Sequence, residues 1–565
     1  DGRSIAYVGR REGDARAQLW RIAGDGGEAE RLTDAPTPVR TFAWLPDGKG
    51  LVFTADRDLD GTERADREAG RDWKLGDLDG TARQLHLLEL AGSTTRPLTP
   101  RDFHVEHLRV SPRGDAVAVI GGARADVDGT MMYGGVFRVA IASGEPKPPQ
   151  KLCETAGKLG DLAWSRSGDT IAYLGAADLS DPTAGVVWTV DARGGKPVAH
   201  TLDYAGTAQR VRFVGDDRLL VLANEDTHSA VLRVSLADGK RTRVLGPGPI
   251  CHGFDATSDG KALVCAGDTA LHPAEVFALV GRSLRRRTFS NPDLDRKQLG
   301  EQSVLRWTAS DGLEIAGVVT LPVAHRKGER HPLVVLPHGG PEGISQAGWN
   351  TRAGYPAQLF ASRGYVVLEP NYRGSSGRGV AFGKADHGDL GGREFEDVLA
   401  GIDAMVAQGL VDGDRVGMGG WSYGGYFSAL AATQHSKRFK AAMVGAAITN
   451  WLSFTGTSEI EHENSLVHWN LWPYDQPELV WKRSPMAHIK GSKTATLVVH
   501  GLDDTRVPPS QAKELYRALR HAGAPTELVF YPREGHGLAE RAHQLDFVQR
   551  YLDWFDAELQ PRGAE

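Results

Sequence analysis

Cysteine is scarce in this chain: its 565 residues include three, Cys153, Cys251 and Cys265. So small and odd a number argues against a disulfide framework and favours a reducing compartment, so we expect a cytoplasmic protein. No apolar run approaches the roughly 20 residues that a membrane span needs, and we expect no membrane partner. The formal net charge of −6 offers no basic surface for nucleic acid.

Motifs that bind metal ions are also missing. The chain has no HExxH and no CxxC. The stretch DRDLDG at 56–61 begins like a calcium loop, but Arg67 stands where that loop requires a bidentate glutamate. We therefore expect no metal and no cofactor.

The first half of the chain repeats one pattern five times. Each copy is a pair of short, mostly apolar strands around a turn rich in Pro, Asp, Ser and Gly, which is typical of a β-hairpin. With the strand-like runs between copies, their spacing predicts about one four-stranded blade each, and hence an all-β propeller; a β-sandwich is the alternative. The copies are FAWLPDGKGLVF at 42–53, LRVSPRGDAVAV at 108–119, LAWSRSGDTIAY at 162–173, VRFVGDDRLLVL at 211–222 and FDATSDGKALVC at 254–265.

The opening stretch DGRSIAYVG matches the second half of this repeat. We therefore expect the sequence to begin inside a blade, with six blades visible in whole or in part. A propeller of about seven blades follows if its first part, or a signal peptide, precedes the given chain.

After about residue 300, apolar strand-like runs alternate with helix-like stretches. Near-continuous apolar strands separated by helices are typical of a mainly parallel sheet that is covered on both faces. Residues 303–322 read as an antiparallel hairpin that leads into this sheet. The polar stretch 285–302 marks the boundary, so we assign 1–298 to the propeller and 299–565 to a doubly wound α/β domain.

Ser422 lies in the pattern Gly420-x-Ser422-x-Gly424, between a predicted strand and a predicted helix. A serine on such a turn can adopt a strained conformation that exposes its hydroxyl, provided that the flanking backbone carries no Cβ. A glycine-rich connection with an unimportant serine is the alternative. The position at the end of a parallel strand favours a nucleophile.

A serine hydroxyl becomes a nucleophile only when a base takes its proton and a carboxylate orients that base. Asp503 and Asp504 follow one later strand and His536 follows the next, which is the chain order of α/β-hydrolases. Two backbone amides usually bind the oxyanion. We expect one from Tyr423, next to the serine, and the other from the glycine-rich loop 338–341.

The C-terminal half resembles the prolyl oligopeptidase family of serine peptidases, and within it the acylaminoacyl-peptidase and dipeptidyl-peptidase branch. The N-terminal half is similar to this family in architecture alone. The motifs that carry the resemblance are HGGP at 338–341, NYRGSSGRG at 371–379, GWSYGGY at 420–426, HGLDDTRVP at 500–508 and YPREGHG at 531–537.

The resemblance implies roles for particular residues. It selects Asp504 over Asp503 as the acid and the amide of Gly340 as the second oxyanion donor. It implies short peptides as substrates, with Arg506 or Arg373 available to a peptide carboxylate. The apolar S1 pocket would consist of Tyr423, Ile448, Trp451, Phe454 and Val507.

We therefore expect a serine peptidase that hydrolyses short peptides through an acyl-enzyme, as acylaminoacyl peptidases do. A dipeptidyl peptidase would hold the free amino terminus with an acidic pair, for which Glu225 and Asp226 match weakly. A carboxypeptidase of the same family, an esterase or amidase of the same fold, and a propeller with an inactive hydrolase domain also stay open. So does a homo-oligomer.

Overall fold

The computed structural model describes residues 2–73, 80–281 and 283–560. Over these ranges, the first half of the chain forms six antiparallel sheets, one of three strands and five of four. Strands that follow each other in sequence pair within each sheet, as in propeller blades. The predicted propeller is confirmed, and six separate sheets are incompatible with a sandwich.

The strands of the first three blades are β1 (Ser4–Gly9), β2 (Gln18–Ala23), β3 (Glu30–Arg31), β4 (Val39–Trp44), β5 (Gly50–Asp56), β6 (Arg83–Glu89), β7 (Thr94–Pro97), β8 (His104–Val110), β9 (Ala116–Gly122), β10 (Gly135–Ala140) and β11 (Gln150–Lys151). The strands of the other three are β12 (Leu159–Trp164), β13 (Thr170–Gly175), β14 (Val186–Asp191), β15 (Val198–Ala199), β16 (Thr207–Val214), β17 (Arg218–Glu225), β18 (His228–Ser235), β19 (Arg241–Leu245), β20 (Ile250–Ala256), β21 (Leu263–Thr269), β22 (His272–Val280) and β23 (Ser283–Arg286).

The described residues hold six blades, the number expected within the given sequence, and a seventh blade, expected before it, stays a prediction. Each of the five hairpin repeats forms the first two strands of a four-stranded blade, and the opening half-repeat forms β1 of the three-stranded one. The seventh blade of the prediction corresponded to no repeat in the sequence. Neighbouring blades pack through apolar side chains: Val52 and Leu85 of the second blade contact the cluster that contains Val117 and Val119 of the third.

The acidic stretch at 56–61 leads into a helix. Asp60 caps the helix Gly61–Glu68: its carboxylate accepts a hydrogen bond from Glu63 N, while the Glu63 carboxylate accepts one from Asp60 N. This reciprocal pair satisfies two amides that the first turn leaves without partners. One carboxylate of this stretch, that of Asp60, therefore serves a helix terminus, while Asp56 and Asp58 pair with arginines.

The second half of the chain is built on an eight-stranded sheet with the order β24-β25-β27-β26-β28-β29-β30-β31. β24 and β25 form the predicted antiparallel hairpin at one edge, and β26 to β31 run parallel to one another. The strands are β24 (Gln302–Thr308), β25 (Glu314–Thr320), β26 (His331–Val335), β27 (Val366–Asn371), β28 (Val411–Trp421), β29 (Ala441–Gly445), β30 (Ala495–Gly501) and β31 (Thr526–Tyr531).

The sheet is covered on both faces. Along β26, Leu333 and Val335 belong to one apolar core, and Val334 belongs to the core on the opposite face. Among the described residues of the propeller half, two short stretches are helical, α1 (Gly61–Glu68) and α2 (Val127–Met132). The others are α3 (Ala357–Ser362), α4 (Val380–Gly383), α5 (Arg393–Ala407), α6 (Tyr423–Ala432), α7 (Trp451–Thr455), α8 (Glu461–Glu463), α9 (Pro477–Lys482), α10 (Ser510–His521) and α11 (Arg541–Leu559).

The predicted domain boundary at 298/299 falls between β23, in the last blade, and β24, in the eight-stranded sheet, and it stays a prediction.

All three cysteines are free and buried. In the described parts of the chain, no helix combines the length and the apolar character that crossing a bilayer would require.

Candidate active site

Ser422 lies on the sharp turn between β28 and α6, with a φ of +60°. Its amide donates to the carbonyl oxygen of Gly445 at 2.9 Å, which holds the turn against the end of β29. A Cβ at Gly420 would lie 2.6 Å from the carbonyl oxygen of Gly424, and a Cβ at Gly424 would overlap the carbonyl oxygen of Pro337. The strained serine conformation therefore depends on both flanking glycines, as the sequence pattern predicted.

A continuous hydrogen-bond chain runs from Ser422 to Asp504. His536 Nε2 lies 2.9 Å from Ser422 Oγ, and His536 Nδ1 lies 2.9 Å from Asp504 Oδ2. Each of the three residues follows a parallel strand, at the carboxyl edge of the sheet. The other aspartate, Asp503, is exposed and takes no part in this chain. This geometry suits proton transfer from a serine to an imidazole that a carboxylate orients.

The Asp504 carboxylate is fixed from several sides. Oδ1 accepts a hydrogen bond from Val507 N at 2.9 Å, and Oδ2 lies 3.3 Å from His500 Nε2. Burial alone raises the pKa of Asp504, but hydrogen bonds from His500 and His536 outweigh it and hold the pKa at about 2. Asp504 is therefore ionised across the neutral range. His500 therefore supports Asp504.

The loop that carries His536 is held by Glu534. This carboxylate accepts hydrogen bonds from the amides of Ala539 and Glu540 and from His543 Nδ1, at 2.7 to 2.9 Å. The loop is thereby tied to the start of α11, and His543 has a structural partner. Trp421 adds a second tie, since its Nε1 donates to the carbonyl oxygen of His536.

The loop after β26 lies beside the serine. A Cβ at Gly339 would lie 3.4 Å from Ser422 Cβ. Among the described residues, none accepts a backbone hydrogen bond from Gly340 N or Tyr423 N, the two predicted oxyanion donors. His338 is buried behind them, 2.8 Å from Ser375 Oγ, and burial lowers its pKa to about 4, so this loop adds no positive charge at neutral pH.

The predicted S1 residues form one buried apolar cluster next to α6. Tyr423, Ile448, Trp451, Phe454 and Val507 are each at most 4% exposed and belong to the same core. The Tyr423 hydroxyl donates to Glu394 Oε1 at 2.5 Å, so this ring is anchored away from the serine hydroxyl.

The two predicted carboxylate-binding arginines are already paired. Arg506 Nε lies 3.1 Å from Glu459 Oε1 at a partly exposed position. Arg373 is buried between Asp311 and Asp397, with guanidinium-to-carboxylate distances of 2.7 to 3.1 Å. Arg373 is therefore a structural residue.

An open cavity of about 490 Å³ adjoins Ser422 on the side of His536. The described residues that line it include His536 with its two successors, Gly537 and Leu538, together with the apolar rings of Trp421, Tyr355 and Phe547 and the charged side chain of Arg352. Arg352 and Tyr355 were not predicted, because they follow the HGGP motif in a stretch that matches no catalytic pattern.

A second cavity, of about 520 Å³, lies between the propeller and the hydrolase domain. Asp161 and Arg210 line it from the propeller, Glu342 lines it from the hydrolase domain, and Ile344 lines both cavities. The cavity therefore reaches the loop that carries Gly340.

Lys158 joins the two domains at this junction. Its ammonium group lies 2.6 Å from Glu342 Oε1 and forms a second ion pair with Glu463. Burial lowers the pKa of an ammonium group, but the two carboxylates outweigh it and raise the pKa of Lys158 above its usual value. Glu342, Glu463 and His468 are spaced closely enough to bind a metal ion. The ammonium group already supplies the positive charge there.

The two acidic residues considered for binding an amino terminus are also paired. Glu225 accepts a hydrogen bond from the Tyr204 hydroxyl at 2.6 Å and pairs with Arg243. Asp226 pairs with Arg306 of β24.

Comparison with known proteins gives matches over both halves of the chain. A model of the prolyl oligopeptidase family matches residues 351–562. The uncharacterized peptidase YuxL of Bacillus subtilis is 27% identical over 596 aligned positions, covering 99% of this chain and 89% of that protein. Dipeptidyl-peptidase 5 of Porphyromonas gingivalis is 31% identical, over 45% of this chain and 37% of that protein.

A solved structure has a similar fold over the whole chain. The acylaminoacyl peptidase of Pyrococcus horikoshii superposes with a TM-score of 0.80 at 22% identity, covering 100% of this chain and 88% of that one. At this identity the likeness concerns the fold.

Proposed function

We propose that this chain removes N-acylated residues from short peptides. The premise is that it is a serine peptidase with a prolyl oligopeptidase family domain over residues 351–562. One observation carries this choice of substrate. The acidic candidates Glu225 and Asp226 are each paired with an arginine, and Glu342, at the cavity between the domains, is paired with a lysine. A free ammonium group would have to break one of these ion pairs, whereas an acylated amino terminus requires no counter-ion.

The proposed mechanism has two acyl-transfer steps. Ser422 attacks the scissile carbonyl carbon while His536 takes its proton, and the amides of Gly340 and Tyr423 bind the oxyanion. The C–N bond then breaks, and His536 returns the proton to the leaving amine. In the second step His536 activates water, which releases the acylated residue from Ser422. Asp504 stays ionised throughout and orients His536.

For the side chain before the scissile bond, we retain the apolar pocket of Ile448, Trp451, Phe454 and Val507 as the proposed binding site. Its support is the position of this cluster against Tyr423, the residue after the nucleophile. Arg506 lies at the edge of this cluster and is proposed to contact the substrate backbone.

We propose peptides short enough to enter the two cavities as substrates. A cytoplasmic location is supported by three free, buried thiols. Homo-oligomer formation stays a hypothesis.

The test compares acetyl-Ala-p-nitroanilide with Ala-p-nitroanilide, Gly-Pro-p-nitroanilide and p-nitrophenyl acetate. We expect the blocked amide to have the highest kcat/KM among the three amides. Preference for either unblocked amide would contradict the proposed substrate class. Turnover of the ester alone would indicate an esterase.

Labelling with a fluorophosphonate tests the nucleophile. Label should attach to the wild type and not to Ser422→Ala. Asp504→Asn should retain the fold and lose about 10⁴-fold in kcat, because the imidazole is no longer held in the required tautomer. Labelling that persists in Ser422→Ala would show that another residue reacts.

A further inference from the structure

Arg352 brings to the cavity beside Ser422 a positive charge that has no ion-pair partner among the described residues. No carboxylate of the described chain lies within ion-pair distance of its guanidinium group, which lies 4.6 Å from the centre of the Tyr355 ring. Backbone hydrogen bonds in both directions between Arg352 and Tyr355, at 2.9 and 3.1 Å, fix the turn that presents the two side chains. Both residues line the cavity.

Glu369 interacts electrostatically with Arg352 without forming an ion pair, and its carboxyl group is largely protonated below neutral pH. It is buried and accepts a hydrogen bond from Asn350 Nδ2 at 2.9 Å. Burial raises the pKa of Glu369 to about 7, against a smaller opposing effect of Arg352. The guanidinium group thus keeps its charge available to a ligand. Arginine binds carboxylates through two parallel hydrogen bonds, which suits this position.

The position of the cavity identifies which part of a substrate it holds. His536 must deliver its proton to the leaving nitrogen, so the leaving group lies on the side of the imidazole. The cavity is lined on that side by His536, Gly537 and Leu538. Trp421 and Phe547 provide apolar walls for the side chain of the leaving residue.

We propose that Arg352 binds the carboxylate of a single apolar leaving residue, so that N-acylated dipeptides are preferred substrates. The inference rests on the proposed function and specifies its substrate class. Hydrolysis breaks the one peptide bond of such a substrate, consumes one water molecule and releases an acyl amino acid and a free amino acid. A cavity of about 490 Å³ has room for a large apolar residue.

The experiment compares acetyl-Phe-Leu with a free carboxylate and acetyl-Phe-Leu-amide. In the wild type we expect kcat/KM to favour the free carboxylate by about 10-fold to 100-fold, the range of a charge-assisted hydrogen bond. In Arg352→Gln this preference should fall to nearly 1, chiefly through a higher KM. Arg326→Gln, at an exposed position in a loop between β25 and β26, is the matched control and should keep the wild-type preference.

A second pair of substrates distinguishes the two sources of a carboxylate. Acetyl-Phe-Glu-amide and acetyl-Phe-Gln-amide differ only in a side-chain charge. If Arg352 favours the glutamate substrate and ignores the terminal carboxylate, the proposal is wrong and Arg352 selects acidic side chains.

Acetyl-Ala-p-nitroanilide separates this inference from the proposed function, because its leaving group is uncharged. Arg352→Gln should lose far less kcat/KM on this substrate than on acetyl-Phe-Leu. If the wild type does not hydrolyse it, the proposed function fails. If the wild type hydrolyses it but shows no Arg352-dependent preference for the free carboxylate, the role of Arg352 alone is refuted.

Discussion

Glu369 couples the stability of the protein to pH. Its pKa of about 7 in the folded chain exceeds that of a solvated glutamate, because burial disfavours the charged form. Between about pH 4.5 and 7 the folded state therefore binds more protons than the unfolded state at this position, and the stability contributed by Glu369 falls as pH rises.

Glu369→Gln removes this titration while keeping an oxygen that can accept from Asn350. We expect the free energy of unfolding of the variant to exceed that of the wild type, by an amount that grows from about pH 4.5 to 7 and reaches on the order of 3 kcal/mol. Denaturant titrations at several pH values measure the difference. Glu301→Gln, at an exposed site, is the control, and a pH-independent difference for Glu369→Gln would contradict the expectation.

At the scale of single residues, the sequence predicted those site residues whose order along the chain, each after a strand, is typical of α/β-hydrolases. Ser422, Asp504 and His536 each follow a strand, so the pattern of strands predicted that a serine, an aspartate and a histidine meet, and the family resemblance selected Asp504 over Asp503. Arg352 could not be found in this way, because its position depends on a turn paired with Tyr355 and on the distant walls of the cavity. The pairing of Arg506 with Glu459 likewise depends on contacts between loops far apart in sequence.

At the scale of elements, α6 follows β28 and packs closely against the end of β29. A Cβ at Gly425 would overlap the carbonyl oxygen of Gly445 and lie 2.9 Å from Ala447 Cβ. All ten residues of α6 are buried, so the helix has little room to move away.

Gly425→Ala should therefore displace α6 and the serine at its start. We expect a loss of about 1 to 3 kcal/mol in the free energy of unfolding and slower fluorophosphonate labelling of Ser422. Gly413→Ala, where the nearest atom to a Cβ is 3.4 Å away, provides the control. Wild-type labelling rates and stability in Gly425→Ala would show that the helix can shift without disturbing the nucleophile.

The alternation of strands and long helices in the second half could be predicted, because apolar runs and helix-like stretches alternate there. The short helices α7, α8 and α9 were not predicted, since elements of three to six residues leave too few periods for a pattern to emerge. Helix α2 was missed for the same reason. Its Asp128 accepts hydrogen bonds from the amides of His462 and Glu463, and so connects the propeller to the hydrolase domain.

At the scale of the whole molecule, Lys158 supplies the positive charge between Glu342 and Glu463. Lys158→Met would remove the ammonium group that pairs with Glu342 and Glu463, and breaking a buried ion pair typically costs about 3 to 5 kcal/mol. Because Glu342 lies two residues after Gly340, we also expect a lower kcat on acetyl-Ala-p-nitroanilide.

Denaturant unfolding and steady-state kinetics of Lys158→Met measure both effects. Lys240→Met, at an exposed loop of the propeller, should leave both unchanged. Adding Glu342→Gln and Glu463→Gln to Lys158→Met should restore part of the stability, since the uncompensated charges are removed. An unchanged free energy of unfolding in Lys158→Met would mean that the ion pairs of Lys158 do not stabilise the contact between the two domains.

The overall architecture followed from the sequence because repeats report blades directly. The six blades within the given sequence also followed from the repeats, whereas the total of about seven rested on a blade that none of the repeats represents. The contact between the two domains could not be predicted from the sequence. Lys158 lies 184 residues from Glu342, and no motif in the sequence predicts that the two residues pair.

The shared position of Ile344, at the wall of both cavities, has a consequence for evolution and for engineering. The short segment from Gly339 to Ile344 lies against Ser422 at one end and lines the cavity between the two domains at the other. A propeller exchanged for that of a relative would therefore alter the catalytic loop unless it also brought a cation to the position of Lys158. We expect the two domains to have been inherited together, and working chimeras to require matched residues at this junction.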